Sequence, residues 1–208
     1  CASCHNPSMG FSDGRGQSLG AGQQPLPRSA PSLWNVAFQQ RLFWDASASS
    51  LEEQMLGPLY DEREMGNTRE NLLDTINSSA DYRLLFIQAW PERFRSADDG
   101  VELDQIYTAI AAFQSSLISL NSRYDQYAHG YADALTADEK EGMNVFRSFV
   151  ARCGECHTPP MFTNQQIAVL GTPELQGMPF DIRAQKTFDE PTLRGGFGAI
   201  DCERRVPT

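Results

Sequence analysis

The chain has 208 residues, 40% of them hydrophobic, which is enough for one large or two small domains with a core. Its formal net charge of -10 argues against nucleic acid as a partner and suits a basic partner or simple solubility. No apolar run approaches the ~18 residues of a membrane helix, and no signal peptide is visible.

The chain opens on Cys1-Ala2-Ser3-Cys4-His5, and the same spacing returns at Cys153-Gly154-Glu155-Cys156-His157. C-x-x-C-H is the attachment signal for a c-type haem. Its two thiols add to the haem vinyl groups as thioethers, and the adjacent histidine reaches the iron. The motifs take four of the five cysteines and two of the three histidines. A zinc pair or a thioredoxin-like C-x-x-C is the competing reading. A thioredoxin site needs no following histidine, and the flanking sequence lacks its βαβ pattern. Two covalent haems are therefore expected. Their attachment implies export, because c-type maturation happens outside the bacterial cytoplasm.

Residues 6–41 are rich in Gly, Pro, Ser and Gln and read as loop, anchored by Met9, Phe11, Leu19, Leu26, Leu33, Trp34 and Phe38. Ser50-Leu51-Glu52-Glu53 is a capping box that starts a short helix, which Gly57-Pro58 should end. Thr68 or Asn67 caps a second helix running to about Ile76. A third runs from Ala80 to Trp90, with Tyr82, Leu85, Phe86 and Ala89 on one face, and stops at Pro91. Leu103 to Leu120 has the clearest helical period, through Leu103, Ile106, Tyr107, Ile110, Phe113 and Leu117, and Asn121-Ser122 breaks it. Thr136-Ala137-Asp138-Glu139 is another capping box, opening a helix that delivers the chain to Cys153. Beyond His157, prolines and glycines imply mostly loop. The fold expected is mainly α: two cytochrome c-like haem domains with long loops and little or no sheet. The haem motif repeats but the sequence between does not, so this is no tandem array. Cys202 reads as a free thiol without a role. A chain that begins on a haem cysteine and ends on Val206-Pro207-Thr208 reads as a fragment of a longer mature protein.

Several further stretches carry a resemblance. They are Gly10-Phe11-Ser12-Asp13-Gly14-Arg15, Ala30 to Phe38 with Pro31-Ser32-Leu33-Trp34-Asn35 at its centre, and Leu42-Phe43-Trp44-Asp45 followed by Ser50-Leu51-Glu52-Glu53-Gln54 and Gly57-Pro58-Leu59. Ala109-Ile110-Ala111-Ala112-Phe113, Asn121-Ser122-Arg123-Tyr124-Asp125 and Cys156-His157-Thr158-Pro159-Pro160-Met161-Phe162-Thr163 follow in order. Together they resemble the bacterial di-haem cytochrome c peroxidases and their MauG-type relatives. The resemblance implies an N-terminal haem domain over residues 1–132 that reacts with hydrogen peroxide. It also implies an electron-transfer haem domain over 133–208, truncated here, with a calcium ion between the two haems.

Carried over, His5 and His157 are the proximal iron ligands, and Cys1, Cys4, Cys153 and Cys156 the thioether links. Asn35 matches the calcium ligand, with a loop-capping amide as its alternative. Arg205 and Pro207 match the two carbonyl ligands beside a Pro-Thr pair, with Glu190-Pro191-Thr192-Leu193-Arg194 as a competing match. Calcium suits such an oxygen-rich set. Trp90 falls near the place of an inter-haem aromatic; Trp34 and Trp44 are alternatives, and all three could be core residues.

The sequence departs from the family at Gln114, where a glutamate usually follows the Ala-Ala-Phe run. An amide donates and accepts hydrogen bonds but is no acid or base near neutral pH. Either Gln114 orients peroxide while water carries protons, or Asp104 or Glu102 substitutes; a plain solvent-facing residue is the alternative. No histidine lies between His5 and His129, so no loop histidine can block the first haem, which is expected five-coordinate or water-ligated at rest. His129 reads as a surface residue. The distal ligand of the second haem is expected beyond Thr208; Met161 is too close to His157, and Met178 would need an unusual path.

The function these readings imply is a periplasmic di-haem peroxidase. It would reduce hydrogen peroxide to water with electrons from a small donor protein, a cytochrome c or cupredoxin, relayed through the C-terminal haem. A MauG-like oxidase acting on tyrosine or tryptophan of a partner protein is the second reading. A non-enzymatic di-haem electron carrier is the third. A homodimer is among the assemblies allowed.

Overall fold

Seven helices and a series of short 3-10 turns carry the described part of this computed structural model, residues 1–169 and the strand 205–207. The helices are α1 (Leu51–Tyr60), α2 (Arg69–Ser78), α3 (Ala80–Ala89), α4 (Leu103–Ser116), α5 (Arg123–Ala128), α6 (Ala137–Arg147) and α7 (Cys153–Cys156). The only sheet among the described residues is an antiparallel pair, β1 (Ile167–Val169) with β2 (Arg205–Pro207), in the register Ala168 to Val206. Mainly helical architecture with little sheet is thus as the sequence implies. No described helix is long and apolar enough to cross a membrane.

Two compact units divide the chain. The first joins Cys1–Leu33 to Ser50–Ser116, and the second joins Trp34–Ser49 to Leu117–Thr208. These units of packing place 34–49 and 117–132 in the second unit, and leave the expected haem domains 1–132 and 133–208 as a matter of function. Asn35 supplies a physical reason. Its backbone N–H donates to the Leu117 carbonyl at 2.8 Å. Its side chain donates to the Ser119 carbonyl and accepts from the Ser119 N–H, each at 2.8 Å. The same clamp explains why the helix expected to reach Leu120 stops at Ser116. Backbone groups of 117 and 119 bond to Asn35, and Ser116 Oγ donates to the Phe113 carbonyl at 2.7 Å.

In the first unit the core has two parts. Ile76, Phe86, Val101 and Ile106 form one, with Trp90, Phe94 and Leu103 packed on them. Met55, Leu59 and Ala111 form the other, joining α1 to α4. That second cluster corrects the expected stop at Gly57-Pro58, since α1 continues through Pro58 to Tyr60. An interior proline costs roughly 3 kcal/mol. Burying Met55 and Leu59 returns about 1.5–3 kcal/mol each, so packing prevails. Tyr60 and Tyr107 reinforce the α1–α4 contact through hydroxyls 2.6 Å apart. Burial and the Tyr107 hydroxyl push the Tyr60 phenol up to about 12. On α3 the expected apolar face is buried only at Phe86; Tyr82 and Leu85 are exposed.

In the second unit, α5 was not anticipated, although Ser122 and Asp125 form a full capping box at its start. Thr136 and Glu139 form another at α6, as the sequence implies.

Among the described glycines, Gly20 marks the tightest backbone approach. A Cβ there would lie 1.7 Å from the Arg63 carbonyl oxygen, whereas one at Gly16 would meet nothing within 4 Å. Gly20→Ala is expected to destabilise the protein by about 1–3 kcal/mol in denaturant titrations. Gly16→Ala should stay within about 0.5 kcal/mol of the parent.

Candidate functional site

Both C-x-x-C-H motifs wind into a single turn. In the first, the His5 N–H donates to the Cys1 carbonyl at 2.7 Å; in the second, the His157 N–H donates to the Cys153 carbonyl at 2.9 Å. One turn puts residues i, i+3 and i+4 on one side, so two thiols and one imidazole face the same way. Arg152 precedes α7 in the left-handed region, and its guanidinium pairs with Glu155. All four motif cysteines are free thiols.

Each imidazole is oriented from behind. His5 Nδ1 lies 3.0 Å from the Phe11 carbonyl oxygen, and His157 Nδ1 lies 3.1 Å from that of Phe162. A carbonyl can only accept, so Nδ1 carries the proton and Nε2 keeps its lone pair. That is the tautomer an iron ligand needs. Sequence reading missed Phe11 and Phe162 in this role. The available signal was a phenylalanine five or six residues after each motif histidine.

Apolar surface surrounds these turns. In the first unit, Phe113 of α4 is more than half exposed beside Phe11, with ring centroids 6.4 Å apart. In the second, Val145, Phe149 and Val150 lead into Cys153 and are exposed, Phe149 by 86% and Val150 by 92%. Phe146 lies 6.2 Å from the His157 ring. A cavity of about 280 Å³ opens between α5 and α6, lined by Tyr124, Leu135, Met143, Phe146 and Phe162 among others. Free thiols, Nε2-competent histidines and uncovered apolar side chains fit a covalently attached haem at each motif.

The other expected residues fall as follows. Gln114 follows Phe113 on α4, and its buried Oε1 has no hydrogen-bond partner among the described residues. Trp90 closes α3, half-buried and stacked on Phe86 at 5.6 Å and 17°. Asn35 has both amide atoms on Ser119. Arg205 and Pro207 lie in β2. His129 caps the end of α5, exposed, with Nδ1 2.8 Å from the Asp125 carbonyl. Met178, Cys202 and the Glu190–Arg194 stretch lie outside the described residues. Among the described residues no group of three or more His, Cys, Asp or Glu could hold a metal ion.

A chain with two such turns is, by class, a c-type cytochrome with two haem-attachment sites. The model of the family described as di-haem cytochrome c peroxidase matches residues 1–133. The chain belongs to that family, which implies two c-type haems. The chain is 37% identical over 162 residues to cytochrome c551 peroxidase of Nitrosomonas europaea, covering 77% of this chain and 46% of that protein. It is 33% identical over 171 residues to the methylamine utilization protein MauG of Methylorubrum extorquens, covering 82% and 47%. A crystal structure of a MauG-like protein associated with microbial copper homeostasis superposes with a TM-score of 0.75 at 27% identity, covering 100% of this chain and 62% of that one. The chain thus spans about half the length of the curated relatives it matches.

Within the second unit, Arg123 of α5 grips the Glu139 carboxylate of α6 with two guanidinium nitrogens. That contact, with the Thr136 cap, lowers the Glu139 carboxyl to about 2. A depressed carboxylate contributes stability above its unfolded pKa and loses it as pH falls through the folded one. The stability of the parent is therefore expected to fall more steeply between pH 4.5 and about 2 than that of Glu139→Gln, read as denaturant midpoint against pH.

Proposed function

We propose that the protein containing this chain is a di-haem peroxidase, reducing hydrogen peroxide to water with electrons relayed from an external donor protein through the C-terminal haem. Residues 1–132 would serve the peroxidatic haem and 133–208 the relay haem, with 34–49 lending structural support to the latter part. The observation that carries the reading is Gln114. Its Oε1 is buried without a partner among the described residues, one residue beyond Phe113, which packs on Phe11, whose carbonyl meets His5. A buried acceptor left unmet costs about 1–3 kcal/mol unless something donates to it. A peroxide O–H is such a donor.

When bound, haem would supply the iron at which peroxide is reduced, the two electrons coming from the external donor. The overall change consumes one peroxide, two electrons and two protons and yields two waters. His5 would hold the iron through Nε2, with the Phe11 carbonyl fixing its ring. Gln114 would accept from peroxide through Oε1 and donate through Nε2, orienting it. It cannot pass a proton at neutral pH. Asp104 is a poor substitute: it lies ten residues earlier on α4, about 15 Å along the axis, and pairs with Arg93. Glu102 lies farther still and faces the same arginine. Proton delivery therefore falls to water.

A calcium ion belongs to the proposal. Asn35 Oδ1 accepts one hydrogen bond and keeps a second lone pair, and the carbonyls of Arg205 and Pro207 sit in the same compact unit. Trp90 is proposed as the aromatic relay between haems, and the compartment as the periplasm. A MauG-like oxidase acting on tyrosine or tryptophan of a partner protein is the second reading, favoured by the absence of any histidine between His5 and His129 and by an amide where an acid would serve peroxidase turnover.

Peroxide turnover with reduced cytochrome c tests the proposal. The complete parent protein should turn over, and its failure to do so would overturn the reading. Gln114→Leu should lower kcat/KM for peroxide. Gln114→Glu should raise kcat by about 10-fold or more, since positioned acid–base groups contribute roughly 10²–10⁴-fold.

A further inference from the structure

We infer that Phe11 and Phe162 are positioning residues that set the strength of the iron–histidine bond, each for its own haem. The inference rests on His5 and His157 as axial ligands. Both phenylalanines adopt a left-handed backbone, φ 59° at Phe11 and 55° at Phe162. Bulky residues avoid that region, and glycine takes it freely. In each case the carbonyl so presented meets the proximal imidazole at Nδ1, at 3.0 and 3.1 Å.

The two loops reach this arrangement by different routes. The first passes from Asn6 through a 3-10 turn at Pro7–Met9 to Gly10, and the Phe11 N–H donates to the Asn6 carbonyl at 2.9 Å. The second is shorter by one residue, runs through Thr158-Pro159-Pro160-Met161, and closes with the Thr163 N–H on the Thr158 carbonyl at 3.2 Å. Two unlike loops that end on the same strained aromatic share only what they touch, the histidine.

If a left-handed backbone were the sole requirement, glycine would meet it at no steric cost. The rings account for the choice. Phe11 packs edge-on against Phe113 of α4. Phe162 packs edge-on against Tyr124 of α5 at 4.9 Å and Phe146 of α6 at 6.2 Å. Each ring fastens its carbonyl to a helix, so the imidazole is held by a helix-anchored acceptor. A firmly held acceptor makes the imidazole more basic and favours ferric iron. A loosened one weakens the iron–histidine bond and favours ferrous iron.

The test uses the full-length, haem-loaded protein. Covalent haem is counted first by the pyridine haemochrome assay; fewer than two haems per parent chain would refute the ligation on which the inference rests. Each variant is then read by the Fe–His stretching frequency of ferrous haem and by spectroelectrochemical potentials resolved for the two haems. Phe11→Val removes the ring and resists the left-handed backbone. It should lower the Fe–His stretch and raise the potential of the first haem alone. Phe162→Val should raise the potential of the second haem alone, and Phe11→Tyr should restore parental values. If Phe11→Val fails to mature, Phe11→Gly keeps the backbone accessible and deletes only the ring, and should shift the same two signals. Parental signals in Phe11→Gly or Phe11→Val, or equal shifts of both haems, would overturn the inference.

Discussion

One hydrogen bond at each proximal histidine governs what the rest of the structure can do. With Nδ1 committed to a backbone carbonyl, the imidazole has one tautomer and one orientation, and Nε2 keeps the lone pair that the proposed iron would take. Without that bond the ring could rotate about its side-chain torsions, and the two thiols of the turn would attach a haem whose fifth ligand was undefined. The remaining architecture serves to hold the carbonyl still. In the first unit this is α4, through Phe113, and α4 is itself fixed by the Met55–Leu59–Ala111 cluster and the Tyr60–Tyr107 hydroxyls. In the second it is the α5–α6 pair, locked by Arg123 and Glu139 and capped by Ser122 and Thr136.

The same helix that anchors the first proximal loop carries Gln114. Successive residues on a helix turn by about 100°, so Phe113 and Gln114 face different directions from one turn of backbone. This couples the position of the proposed distal amide to the proximal side through rigid helix geometry. On the proposed function, the buried amide oxygen, without a partner among the described residues, would be a place kept for a donor that arrives with the substrate.

Much of this was legible in the residues. C-x-x-C-H states its chemistry outright, because thiol, thiol and imidazole must share one turn. Caps at Ser50, Thr68 and Thr136 set helix starts correctly, since side-chain oxygens meet the same orphan N–H groups wherever they occur. Helix ends were less legible. Pro58 was outweighed by burial of Met55 and Leu59, and the α4 period ran on past Ser116 because Leu117 keeps the spacing while its carbonyl bonds to Asn35, more than eighty positions earlier. No local pattern encodes a contact of that separation. The carbonyl clamps were invisible for another reason. They are backbone groups, and their residue type reports only the anchoring ring.

On the proposed reading the two haems would be unequal, the one held by Cys1–His5 open to peroxide and the one held by Cys153–His157 carrying the relayed electrons. Electron paramagnetic resonance of the oxidised, haem-loaded protein at rest tests this most directly. One high-spin and one low-spin ferric signal accounting for equal numbers of spins are expected, with the high-spin signal altered by His5→Ala. Two low-spin signals in the resting protein would contradict it.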